Sequence, residues 1–86
     1  MERRIGVVGI VITDREKAAR KVNEILGAHG EVIVGRMGIP YREKGLAVMA
    51  VIVDGTTDEI GAMTGRLGGI AGVVVRSAVT PAIKED

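Results

Sequence analysis

The 86-residue chain has no cysteine, which excludes disulfides, thiolate nucleophiles and every cysteine-bearing metal site. Its aromatic content is a single residue, Tyr41, so the stacking platform on which small α+β modules hold single-stranded RNA cannot be built. His29 is the one histidine; a Ser-His-acid relay or a multi-histidine metal centre has no members to draw on. Neither sign of charge dominates: 12 Lys and Arg stand against 11 Asp and Glu, a net +1, without the basic footprint that tracks a phosphate backbone. No apolar run approaches a membrane span. The short run after Met1-Glu2-Arg3-Arg4 is broken by glycine and ends in Thr-Asp-Arg-Glu rather than at a small-residue cleavage site, so the chain is expected in the cytoplasm. Glutamine is also missing and Asn23 is the only asparagine, a lean toward a thermophilic composition.

What remains is aliphatic. The first strand, Ile5 to Ile12, is apolar on both parities: Ile5, Val7, Gly9 and Val11 point one way, Gly6, Val8, Ile10 and Ile12 the other. A strand of that kind is buried on both faces. One domain of this length supplies one layer of helices, which covers one face. The other face calls for a second copy, and the expectation is a homo-oligomer, dimer or tetramer.

Thr13 and Glu16 have capping-box spacing, so a helix should open directly after the first strand, with Ala18, Ala19, Val22, Ile25 and Leu26 inward and Gly30 as a left-handed stop. Glu31 to Ile39 reads as a second strand and Pro40 to Gly45 as a hairpin tip. Leu46 to Val53 is a third strand, turned by Asp54-Gly55. Thr56 and Glu59 repeat the capping box for a second helix, with Ile60, Met63 and Leu67 inward and Gly61, Gly65 and Gly68 weakening it. Val73 to Val79, stopped before Pro81, is the fourth strand. The order βαββαβ predicts a single ferredoxin-like α+β domain over residues 1–86, a two-layer sandwich with an antiparallel sheet ordered 4-1-3-2. That order places the uncharged first and third runs at the centre, and the second and fourth, with Arg36 and Arg76, at the edges. Both arginines are expected on the face that the helices leave open.

No catalytic residues, metal ligands or cofactor site can be assembled from these residues. The glycines at 61, 65 and 69 match neither phosphate-loop spacing. His29 reads as a cation at a helix C-terminus. Thr13, Asp14 and Arg15 sit where the first strand gives way to the first helix; free N–H groups there, with an arginine that can fork onto a carboxylate, make this the candidate site for a small anionic ligand, against the plainer role of a helix cap.

Nearly the whole chain resembles a family of small ACT-like, ferredoxin-like proteins described as iron-only ([FeFe]) hydrogenase system regulators. The likeness is carried by Arg4-Ile5-Gly6-Val7-Val8-Gly9-Ile10-Val11-Ile12, Asp14-Arg15-Glu16, Gly35-Arg36-Met37-Gly38-Ile39-Pro40 and Gly68-Gly69-Ile70-Ala71-Gly72-Val73-Val74-Val75. The resemblance implies a non-enzymatic regulatory domain in transcriptional control of hydrogenase systems, sensing a small ligand or docking on a protein partner. ACT domains take an amino acid at the first strand–helix junction, around Asp-Arg-x-Gly; here Lys17 stands in the glycine position. The likeness extends to the sensing half of the nickel-responsive repressor, whose site uses histidines and a cysteine; this chain has only His29, and its ribbon-helix-helix DNA arm has no counterpart in the four residues before the first strand. Direct DNA binding is therefore not expected. The alternatives are a metal-responsive sensor domain or a small enzyme on a dimeric ferredoxin-like scaffold.

Overall fold

A computed structural model describes residues 3–13 and 15–81, with Arg15 described through its backbone alone. The elements run β1 (Arg4–Ile12), α1 (Arg15–Ala28), β2 (Ile33–Tyr41), one 3-10 turn (Arg42–Lys44), β3 (Leu46–Gly55), α2 (Thr57–Gly68) and β4 (Val73–Val79). All three strand pairings are antiparallel, in the order β2-β3-β1-β4. This is the expected 4-1-3-2 order read from the opposite edge, and the ferredoxin-like βαββαβ arrangement stands.

The two parities of β1 divide as the alternation requires. Val8 and Ile10 are fully buried beneath the helices, whereas Ile5 and Val7 are 43% and 48% exposed on the other side. Val51 and Val53 of β3 join the covered face. Against them α1 lays Ala18, Val22, Ile25 and Leu26, and α2 lays Ile60, Met63 and Leu67, all buried. Each large side chain in that layer contributes roughly 1.5–3 kcal/mol by leaving water. Among the described residues the buried set holds no polar or charged side chain, and no helix is long and apolar enough to cross a membrane.

The α2 capping box forms in full: Thr56 N–H donates to Glu59 Oε1 at 2.8 Å and Glu59 N–H donates to Thr56 Oγ1 at 3.2 Å. The start of α1 differs from its expected form. Its first residue is Arg15, so Thr13 lies one residue ahead of the cap position, and its hydroxyl donates instead to the Gly72 carbonyl at 2.9 Å. Gly30 is not left-handed, since only Gly45 and Gly72 have positive φ among the described residues; α1 runs out through successive turns, with His29 N–H reaching Ile25 and Leu26, and Val32 N–H reaching His29.

Strand β2 begins and ends two residues later than its pattern suggests, passing through Pro40, which an edge strand tolerates. The hairpin tip is thereby reduced to Arg42–Lys44 and Gly45, whose φ of 68° needs a glycine. Asp54 and Gly55 do not turn the chain but pair with Ile5 and Arg4 at the end of β3.

A register shift between Ile33 and Gly35 marks a β-bulge at Val34, and it overturns the placement of Arg36. An extra residue in one strand exchanges the faces of everything after it. Arg36 consequently stands opposite Val51, on the helix side, beside Asn23 and Leu26 of α1. Arg76 stands opposite Gly9 on the open face, as expected.

Candidate functional site

The sheet face away from the helices is the surface most in need of a role. From β1 it carries Ile5, Val7, Gly9 and Val11; from β3, Val48, Ala50 and Ile52, which the register sets opposite Val11, Gly9 and Val7. The bulge hands it Met37, Ile39 and Tyr41 from β2, and β4 adds Val74, Arg76 and Ala78. Met37 is 66% exposed and Ile39 57%. Contiguous apolar surface on this scale marks an interaction site rather than ordinary solvent-facing sheet. The charge on it is confined to its margins. Arg76 lies on edge strand β4, its Nη1 bonded to the Val75 carbonyl at 2.8 Å, and Asp54 lies at the end of β3, held by Arg3.

Arg3 is a residue whose part the sequence does not advertise. Its Nε meets Asp54 Oδ1 at 3.0 Å, its Nη2 donates to the Asp54 carbonyl at 2.8 Å, and its Nη1 lies 3.9 Å from Glu59 Oε1. The ends of β1 and β3 are thus tied to the first turn of α2. The Glu59 carboxyl is held below its ordinary range, first by the Thr56 backbone N–H and next by the Thr56 side chain; burial opposes them, and the Arg3 charge adds the least.

Of the expected ligand residues, Thr13 is tied to the turn before β4: its backbone N–H donates to the Gly72 carbonyl at 2.7 Å, alongside the hydroxyl bond. Asp14 lies outside the described residues, and Arg15 enters only as the first backbone unit of α1. The β1–α1 junction is therefore anchored to the α2–β4 connection, which fixes where the helix start sits.

His29 follows directly on Ala28 at the C-terminal end of α1, where its sequence position places it. Its Nε2 lies 3.1 Å from Arg66 Nη1. His29 also lines a groove of about 340 Å³ between the C-terminus of α1 and the N-terminus of α2, where Glu31, Asp58 and Glu59 lie. Among the described residues no three of His, Cys, Asp and Glu converge to hold a metal ion.

Comparison with known proteins follows this architecture. Residues 4–77 match the family model TM1266-like, candidate iron-only hydrogenase system regulators. The solved structure of the uncharacterized protein TM1266 from Thermotoga maritima is 41% identical, aligns over 93% of this chain and 100% of that one, and superposes with a TM-score of 0.89. A candidate glycine cleavage system transcriptional repressor shares the fold at 16% identity and a TM-score of 0.67, over 98% of this chain and 49% of its own. So does a formyltetrahydrofolate deformylase from Pseudomonas syringae pv. tomato, at 16% identity and a TM-score of 0.65, over 88% of this chain but 27% of the enzyme. A comparison with curated proteins finds no match.

Proposed function

The chain belongs to the TM1266-like family of candidate iron-only hydrogenase system regulators, and from that premise we propose a non-catalytic, homo-oligomeric regulatory domain of the cytoplasm that joins copies through its open sheet face. The observation behind the assembly is that face itself, where Ile5, Val7, Ile52 and Val74 are each more than two-fifths exposed beside the still barer Met37 and Ile39. Equilibrium sedimentation at micromolar concentration should return a dimer or tetramer. A 9.0 kDa species would refute it.

Transcriptional control, in this reading, passes through a docked protein or a sensed ligand rather than through DNA held by this domain. Its net charge of +1 supports that view, because affinity for duplex DNA is dominated by neutralised phosphates. Salt-sensitive, sequence-specific binding of the purified domain to a hydrogenase promoter would overturn it.

The ligand reading places a small anion at the β1–α1 junction. The first backbone N–H groups of α1 offer unpaired donors and the positive end of a helix dipole, and Arg15 supplies a charge able to fork onto a carboxylate. Asp14 would orient that charge, and Thr13 would act by pinning the junction to Gly72. Calorimetry against the free amino acids should find a binder whose affinity falls about tenfold or more in Arg15→Ala, with oligomer and melting temperature unchanged. Equal affinity in the variant returns these residues to capping. Metal sensing has less behind it, since the one imidazole faces a guanidinium at 3.1 Å.

A further inference from the structure

We propose that two copies pack face to face about a two-fold axis running along β3 over Ala50, so that Met37 of each enters a hollow above Gly9 of the other while β4 stays outside. This rests on the reading that copies join through the open face, and adds which strands meet and which residue lies on the axis.

The hollow and its filler are both in the register. One row across the sheet reads Met37, Ala50, Gly9, Arg76: a long apolar side chain, a methyl, no side chain, a charge. The rows on either side place Ile52 and Val7 on one flank of Ala50–Gly9 and Val48 and Val11 on the other. The result is a shallow dip walled by branched side chains. A Cβ built on Gly9 would meet only the Arg76 carbonyl oxygen, at 3.7 Å, so the dip opens outward. Met37, two strands away, is 66% exposed. Its thioether chain is unbranched and adapts to irregular gaps.

Symmetry then restricts the match. Because β2 and β1 are the two neighbours of β3, a two-fold along β3 lays each β2 on the partner's β1 and each Met37 on the partner's Gly9, with the two Ala50 methyls at the axis. The same knob meets the same hole twice, as an isologous interface requires. An axis centred on the whole sheet, between β3 and β1, would instead carry each Arg76 under the partner's β2, whose open-face side chains are Met37, Ile39 and Tyr41. Among the described residues no carboxylate lies on that part of the face, and Asp54 is already held by Arg3 at 3.0 Å. A buried charge without a partner is strongly disfavoured. The shifted axis carries β4 past the partner's edge and leaves Arg76 in water. From the exposed fractions of the apolar side chains on β2, β3 and β1, roughly 600 Å² per copy is covered, or roughly 1,200 Å² for the pair, which reaches the range of stable specific interfaces.

The test uses the full chain, starting from the wild-type dimer constant by sedimentation. Ala50→Asp, which sets two carboxylates together on the axis, should raise that constant at least about thirtyfold, the scale of a central hot spot. Arg76→Asp on the excluded strand should leave it unchanged. Far-UV circular dichroism of both variants checks that the monomer keeps its fold. Because the protein has no cysteine, a second arm is independent of affinity: Met37→Cys mixed with Gly9→Cys should give a covalent heterodimer with a short bis-maleimide, and Arg76→Cys mixed with Gly9→Cys should not. A wild-type oligomer that tolerates Ala50→Asp, dissociates with Arg76→Asp, or cross-links through Arg76→Cys overturns the axis and leaves face-to-face assembly standing. A wild-type monomer removes both.

Discussion

Gly6→Ala is expected to cost about 2 kcal/mol, a penalty that can be worked from two directions. Gly6 lies in β1 on the helix-covered side, paired with Val79 at the end of β4. A Cβ there would sit 2.7 Å from the Ala78 carbonyl oxygen, 3.0 Å from Val79 Cγ2 and 3.2 Å from Val79 Cα. The first and last of those atoms are backbone, so relief requires the strand to move. Holding β4 in place costs the overpacking penalty of about 1–3 kcal/mol. Letting its end peel away forfeits Thr80 N–H to the Ile5 carbonyl at 2.9 Å, Ile5 N–H to Thr80 Oγ1 at 3.2 Å and Arg4 Nη1 to the Thr80 carbonyl at 3.1 Å, each worth about 0.5–1.5 kcal/mol net. The molecule takes the cheaper route, and both routes converge on about 2 kcal/mol. For a domain of this size that lowers the melting temperature by roughly 8–16 °C. Thermal and urea unfolding followed by circular dichroism at one fixed protein concentration, which holds association constant, would measure it. A melting temperature equal to or above wild type would show that the close approach of β1 and β4 is not what reserves this position for glycine.

The same substitution should have the opposite sign at Gly65, where an added Cβ meets nothing within 4 Å on the surface of α2; Gly65→Ala is expected to stabilise by about 0.5–1 kcal/mol, seen as a raised urea midpoint. Thr56→Ala removes one half of the α2 capping box and should cost about 1 kcal/mol in the same assay. Because the folded-state Glu59 carboxyl is held below its ordinary range, its contribution is fully present above the unfolded-state pKa and is lost as pH falls through the lower folded value. Glu59→Gln should therefore flatten the acid limb of the stability–pH curve and leave the slope above neutral pH unchanged; an identical acid limb would refute the assignment.

The fold was legible where one physical constraint acted alone. Alternation in β1 separated Val8 and Ile10 from Ile5 and Val7, absence of charge placed β1 and β3 at the centre, and Thr56 with Glu59 located the start of α2. It failed where a tertiary demand intervened. Nothing in Val34 announces a bulge, yet that one residue returns Arg36 to the helix side and gives Met37 and Ile39 to the open face. Thr13 looked like a cap because local spacing cannot show a carbonyl arriving from Gly72. Local spacing likewise cannot show that Arg66 reaches His29, or that Arg3 ties Asp54 to Glu59, because those partners are distant in sequence. At the junction, the place of Thr13 just after β1 was readable in advance, and its anchoring to the α2–β4 turn was not.

Tyr41 closes β2 on the open face and is 46% exposed. With no tryptophan or phenylalanine in the chain, the entire near-ultraviolet signal of the protein comes from this one phenol at the margin of the surface where copies are proposed to meet. The molecule is thus its own optical gauge. Ultraviolet absorbance, tyrosine emission and its quenching by iodide all report on a single known position, so covering or baring that edge can be followed in unlabelled protein, titration by titration, without disentangling other chromophores.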